Sequence, residues 1–150
     1  PAAADPTTVP LRRNGSAAEG AVVIVAGLVL TGIGALIHVY IFVLESLLWT
    51  TDRARATFGT DRAEAEQTRA LAFNQGFYNL FLAVAVLLGA VVFATGARSV
   101  GATLVFTGAG SMVAAGLVLL LSDPSKRRPA SIQLGPPLLG VPALAAGPAA

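Results

Sequence analysis

The sequence predicts an all-α integral membrane protein: a four-helix bundle with both termini outside and a proline-kinked fourth helix. Two observations carry that reading. The 150-residue chain is 55% hydrophobic and only 12% charged, with mean hydropathy +0.73, whereas a soluble domain carries roughly 25% charged residues. The charges are also confined, because residues 20–44, 70–97, 99–122 and 129–150 contain no Asp, Glu, Lys or Arg. The first three runs exceed the ~20 residues that a helix needs to cross ~30 Å of hydrocarbon. In water they would demand a core larger than a chain of this size builds.

Each element follows from local signals. Residues 1–19, rich in Pro, Ala and Thr without apolar periodicity, read as a disordered tail. A first helix is expected over 20–49, too long for a signal peptide and without an A-x-A-like cleavage site. Thr51 and Asp52 cap a short segment, 53–58, closed by Gly59, with Phe58 dipping into the interface. Asp61 followed by Glu64 is a capping box that starts a second helix over 62–95, whose charged first turns stand in water. The Gly96-Ala97-Arg98-Ser99 connection makes the third helix, 100–121, an antiparallel neighbour that stops before Asp123-Pro124. Pro136, Pro137 and Pro142 remove backbone donors from a fourth helix over 131–144, a loss that membrane bundles tolerate. Together these form one transmembrane domain, 20–147.

The net charge of +2 and pI near 9.7 do not indicate nucleic acid, because the basic residues sit in small groups at helix ends. The lipid bilayer is the expected partner, with a homo-oligomer or a membrane complex as the protein partner. Seven of the ten Lys and Arg residues fall in the loops after the first and third helices, against Arg12, Arg13 and Arg98 on the other side. By the positive-inside rule both longer loops are cytoplasmic. The chain contains no cysteine, which removes disulfides and thiolate ligands.

Polar residues within the apolar runs define the candidate site. His38 and Glu45 share one face of the first helix two turns apart, and Trp49 extends that stripe. On the second helix Asn74 pairs with Tyr78, and Gln75 with Asn79, at i,i+4 spacing; Gln133 stands just inside the fourth. All lie at matched depth, so one polar cluster is expected in the cytoplasmic half of the bundle, with plain hydrocarbon in the outer half. An ionised Glu within the bilayer costs roughly 2.5 kcal/mol or more. It therefore faces inward, pairs or is protonated, and a neighbouring His suits it as partner and proton relay. Each residue taken singly also has a structural reading: Glu45 at the headgroups, Trp49, Tyr78 and Tyr40 in an aromatic belt, Asn and Gln as interhelical glue. Together, His38, Glu45, Trp49, Asn74, Gln75, Tyr78, Asn79 and Gln133 are read as ligand-binding. One His and one Glu make a poor metal set, so neither metal nor cofactor is expected. Thr103, Thr107, Ser111 and Ala115 form a small-residue stripe on the third helix, read first as a packing surface and second as a dimer contact.

The paired motifs, His38-x-Tyr40-Ile41-x-x-x-Glu45-x-x-x-Trp49 and Asn74-Gln75-Gly76-x-Tyr78-Asn79, resemble the small bacterial membrane proteins of domain of unknown function 1304. The resemblance covers about residues 21–122, and Gln133-x-x-Pro136 is similar to that family's last helix. The N-terminal tail and the Pro-rich end depart from it. It implies a compact four-helix fold in a bacterial inner membrane and no particular activity. Three functions stay open: binding or moving a small or amphipathic molecule, intramembrane acid–base catalysis on a lipid-like substrate, and an accessory role in a membrane complex.

Overall fold

The computed structural model describes residues 12–147, and all of its regular structure there is helical. Helix α1 spans Arg12–Phe42 and runs directly into a π-helical turn, Val43–Leu47; α2 is Asp52–Phe58, α3 Arg62–Ala94, α4 Arg98–Ser122 and α5 Arg127–Ala146. A 3₁₀ turn, Pro124–Lys126, joins α4 to α5. Three helical stretches are long and apolar enough to cross a membrane: Ala17–Leu47, Arg62–Ala94 and Arg98–Ser122. Helix α5 is not one of them, because Gln133, its glycines and its prolines dilute its apolar content.

The chain breaks where the local chemistry requires. Thr51 accepts a hydrogen bond from the backbone N–H of Ala54 and opens α2, and Gly59 closes it at φ +65°. Asp61 accepts from the Glu64 N–H at 2.8 Å and opens α3. Gly96, at φ +101°, reverses the chain between α3 and α4. Left-handed backbone of this kind is disfavoured for any residue with a Cβ, hence glycine at both turns.

Two boundaries differ from expectation. Helix α1 is already formed at Arg12, inside the stretch read as a disordered tail, and residues 1–11 of that stretch lie outside the described residues. Once the long apolar segment that follows has nucleated the helix, extending it backward costs no further nucleation. Helix α5 is longer than 131–144 and passes through Pro136, Pro137 and Pro142 as one helix. The proline nitrogens leave the carbonyls of Ile132, Gln133 and Leu138 without their helical donors.

Close contacts fix the packing. Residues on α1 meet α5 in reverse order, Gly27 against Leu144, Thr31 against Gly140 and Gly34 against Pro137, so the two are antiparallel. The same pattern holds for α3 and α4, where Gly89 faces Val105 and Gly108 faces Val86. Gly101 lies backbone to backbone with α3: a Cβ there would collide with the Phe93 backbone nitrogen and stand 2.6 Å from the Gly89 carbonyl oxygen. Small residues let backbones approach where no hydrophobic force drives helices together. The interior is accordingly built from Ala35, Ala83, Val86, Val105, Ala109, Met112 and Leu144. Large apolar side chains such as Leu71, Phe81, Val91 and Leu121 point outward, the reverse of a soluble fold.

The stripe of Thr103, Thr107, Ser111 and Ala115 is not the packing face of α4: all four are exposed, and the three hydroxyls donate to the carbonyls one turn back. The packed face is Gly101, Val105, Gly108, Ala109, Met112 and Gly116. Spacing alone did not separate two small-residue stripes on one helix; the glycines mark the buried one.

Candidate functional site

Glu45 is the centre of the site, and the π turn places it there. In that turn Leu48 N–H donates to the Val43 carbonyl, five residues back, at 3.0 Å. The wider turn rotates everything after Phe42 out of the α-helical register, a feature often found at functional positions. Ser46, in the same turn, donates to the Phe73 carbonyl of α3 at 2.8 Å. Gly76 makes room for this crossing, since a Cβ at that position would collide with the Ser46 hydroxyl and come within 3.2 Å of Glu45 Cβ.

Glu45 is 8% exposed. Its Oε2 accepts a hydrogen bond of 2.8 Å from Asn79 Nδ2, and the same amide nitrogen lies 3.2 Å from the Gln75 carbonyl. Among the described residues the only ion pair is Arg55 with Asp52, so no cation neutralises Glu45. A carboxyl held by one amide and no cation, away from bulk water, is costly to maintain.

Two clefts meet at this carboxyl. The first, of about 480 Å³, lies between α1, α3, α4 and α5 under the end of α2. Its walls are mainly apolar, including Ile41, Leu44, Phe58, Val118 and Leu119, with Glu45, Gln75, Asn79 and Gln133 as polar groups. The second, of about 600 Å³, opens on the charged start of α3 and is lined by Glu45, Ser46, Trp49, Glu66, Arg69 and Asn74. Glu45 is thus the residue common to an apolar cleft and a polar vestibule.

The eight expected residues therefore divide. Glu45, Gln75, Asn79 and Gln133 line the apolar cleft; Trp49 and Asn74 line the vestibule. Trp49 donates from Nε1 to the Thr68 hydroxyl at 3.1 Å and packs against Phe58 at a tilt of 47°, with ring centroids 5.3 Å apart. Tyr78 is 69% exposed and points away from both clefts, as its partner in spacing, Asn74, does from the apolar one. His38 is buried at 1% exposure, and its Nδ1 lies 2.9 Å from the Gly34 carbonyl. Because a carbonyl only accepts, Nδ1 carries the proton and the neutral ring leaves Nε2 as an acceptor. The expected His38–Glu45 pair is absent among the described residues: each has a different partner. The π turn between them breaks the constant periodicity that put them on one face. The antiparallel register of α1 and α5 instead sets His38 at the level of Gln133, whose carbonyl Pro137 has freed.

Sequence reasoning missed a third pocket, adjoining the apolar cleft. It holds Arg53 from α2 with Lys126 from the 3₁₀ turn and Arg128 from the start of α5, and it shares Thr57, Phe58, Pro129 and Ile132 with the cleft. Arg53 donates from Nε to the Tyr40 hydroxyl at 3.1 Å and lies over that ring, and Lys126 donates to the Phe58 carbonyl. Charge counting accounts for these cations by topology alone; nothing in their spacing shows that two distant segments converge.

No curated protein and no solved structure matches the chain. The family model described as "Protein of unknown function (DUF1304)" matches residues 32–145, a span that includes every wall of the apolar cleft, and the chain belongs to that family.

Proposed function

We propose that this protein is a multi-pass four-helix bundle of a bacterial inner membrane, with both termini outside, that binds a small or amphipathic molecule in the cleft at Glu45. The observation that carries the reading is the position of Glu45 between an apolar cleft of ligand size and a polar vestibule. A mostly apolar wall with a few convergent polar groups suits a molecule with a long apolar part. A carboxyl reached from two sides can exchange a proton with the vestibule while facing the ligand, which couples occupancy to protonation.

The acid–base alternative needs His38 and Glu45 on one substrate, and His38 does not line the cleft. A purely architectural role would be served by a cluster satisfied within itself, whereas here a cleft of about 480 Å³ adjoins the carboxyl. Binding is the better supported reading. It is tested by titrating hexadecanol into the protein in phosphatidylcholine nanodiscs across a range of pH. Saturable binding is expected, with a pH dependence that Glu45→Gln removes. Binding and pH dependence both unchanged in Glu45→Gln would discard the role of Glu45.

A further inference from the structure

The pocket holding Arg53, Lys126 and Arg128 has a volume of about 580 Å³, and no carboxylate lines it. Asp52, next to Arg53 in sequence, is paired with Arg55, and Asp123 is engaged by the Ser125 backbone N–H and hydroxyl at 2.9 and 2.6 Å. Topology explains why cations sit on this side of the membrane. It does not explain why two segments some seventy residues apart bring them into one concavity free of acidic side chains. Such a concavity favours an anion.

The cations also keep donors to spare. Arg53 spends Nε on Tyr40, which fixes its plane and leaves its terminal nitrogens available. Lys126 spends one of three protons on the Phe58 carbonyl. Arg128 is exposed and makes no hydrogen bond or ion pair among the described residues. Planar guanidinium groups of this kind match phosphate oxygens bidentately.

The pocket abuts the apolar cleft, since Thr57, Phe58, Pro129 and Ile132 line both. The combined site is therefore cationic at one end and apolar along its length, with an uncompensated carboxyl at the Glu45 end. A headgroup placed at Glu45 would meet a carboxyl and no cation, and one placed at Arg53 and Arg128 would meet opposite charge. The cleft is of a size for one chain of moderate length.

We propose that the occupant is a single-chain anionic lipid of the alkyl phosphate class, with its phosphate among Arg53, Lys126 and Arg128 and its chain running past Phe58 into the cleft beside Glu45. This rests on the binding reading given above and names the ligand class for it. The headgroup reaches the site from the membrane surface, and α2 forms the lip over which the chain enters.

The test uses the full chain in phosphatidylcholine nanodiscs, titrated with hexadecyl phosphate, with hexadecanol and with inorganic phosphate. Calorimetry reads binding. The emission of Trp49, the only tryptophan in the chain, reads the pocket through its contact with Phe58. The variant Arg53→Gln/Arg128→Gln is compared with Arg62→Gln/Arg127→Gln, which removes the same charge outside the pocket. Hexadecyl phosphate affinity is expected to fall at least tenfold in the first variant and less than threefold in the second, with hexadecanol unchanged in both. Equal losses in the two variants would reduce the effect to general surface charge and overturn the proposal. Inorganic phosphate binding as tightly as hexadecyl phosphate would overturn the lipid assignment. Hexadecanol binding with no preference for the phosphate would overturn the anionic headgroup and leave the amphiphile reading standing. Failure of every amphiphile to bind the unaltered protein would remove both.

Discussion

The Asn79 side-chain amide donates to the Glu45 carboxyl at 2.8 Å and ties the π turn that follows α1 to the middle of α3. Removing the donor alone leaves a buried oxygen without its partner, so Asn79→Ala is expected to cost about 2 kcal/mol. Glu45→Gln retains a carbonyl oxygen for the same bond and is expected to cost less than about 1 kcal/mol. The double variant Glu45→Ala/Asn79→Ala should be less damaging than the sum of its singles, since each single strands the other group. Equilibrium unfolding in mixed micelles measures all four; strict additivity would show that the bond carries no coupling.

Gly76 should tolerate no side chain, because a Cβ there collides with the Ser46 hydroxyl that holds the π turn. Gly76→Val is expected to destabilise by about 3 kcal/mol, at the upper end of overpacking costs. Gly110→Val and Gly135→Val, where a Cβ meets open space, should cost much less. Thermal denaturation in detergent compares the three, and equal losses would mean that the crossing of α1 and α3 is not the constraint.

The orientation proposed for the bundle puts α2 on the cytoplasmic side. The chain has no cysteine, so Ala56→Cys provides one thiol on an exposed position of α2. An impermeant maleimide should label it in inverted vesicles and leave it unlabelled in intact cells. Labelling from outside would reverse the topology.

The Asp123 carboxylate is held below its ordinary value of 3.8, chiefly by the Ser125 hydroxyl, with the Ser125 N–H and Lys126 adding to the effect. A carboxyl with a lowered folded-state value contributes stability above its ordinary value and loses it as pH falls through the lowered one. The cap on the Pro124–Lys126 turn should therefore persist at pH values where ordinary carboxylates are already protonating. A carboxyl-resolved NMR titration is expected to give a midpoint under 3.8, moved upward by Ser125→Ala. An unshifted midpoint in the unaltered protein would contradict the cap.

Much of this architecture was legible in the chain itself. Asp61 with Glu64, Thr51, Gly59 and Asp123-Pro124 each mark a boundary found where local hydrogen bonding required it. The depth of the site was legible too, since the positions of Glu45, Gln75, Asn79 and Gln133 along their helices bring them to one cleft. Their rotation was not. A helical wheel assumes a uniform 3.6-residue period, and the π turn at Val43–Leu47 violates it between His38 and Glu45. On α3, which is regular, both interleaved pairs have i,i+4 spacing, and spacing does not tell which faces inward: Gln75 and Asn79 reach the cleft, while Asn74 and Tyr78 turn away from it. The convergence of Arg53 with Arg128 depends on tertiary packing, on which local sequence is silent.

The glycine-lined crossings also set how this protein tolerates variation. A soluble core, filled with large side chains, is harmed mainly by deletion, and the damage scales with the volume removed. Here backbone meets backbone at Gly89 and Gly101, at Gly76 and Ser46, and at Gly140 and Thr31. Harm along these seams should scale with volume added, so even the single Cβ of a glycine-to-alanine change would be felt there, and bulkier residues more so.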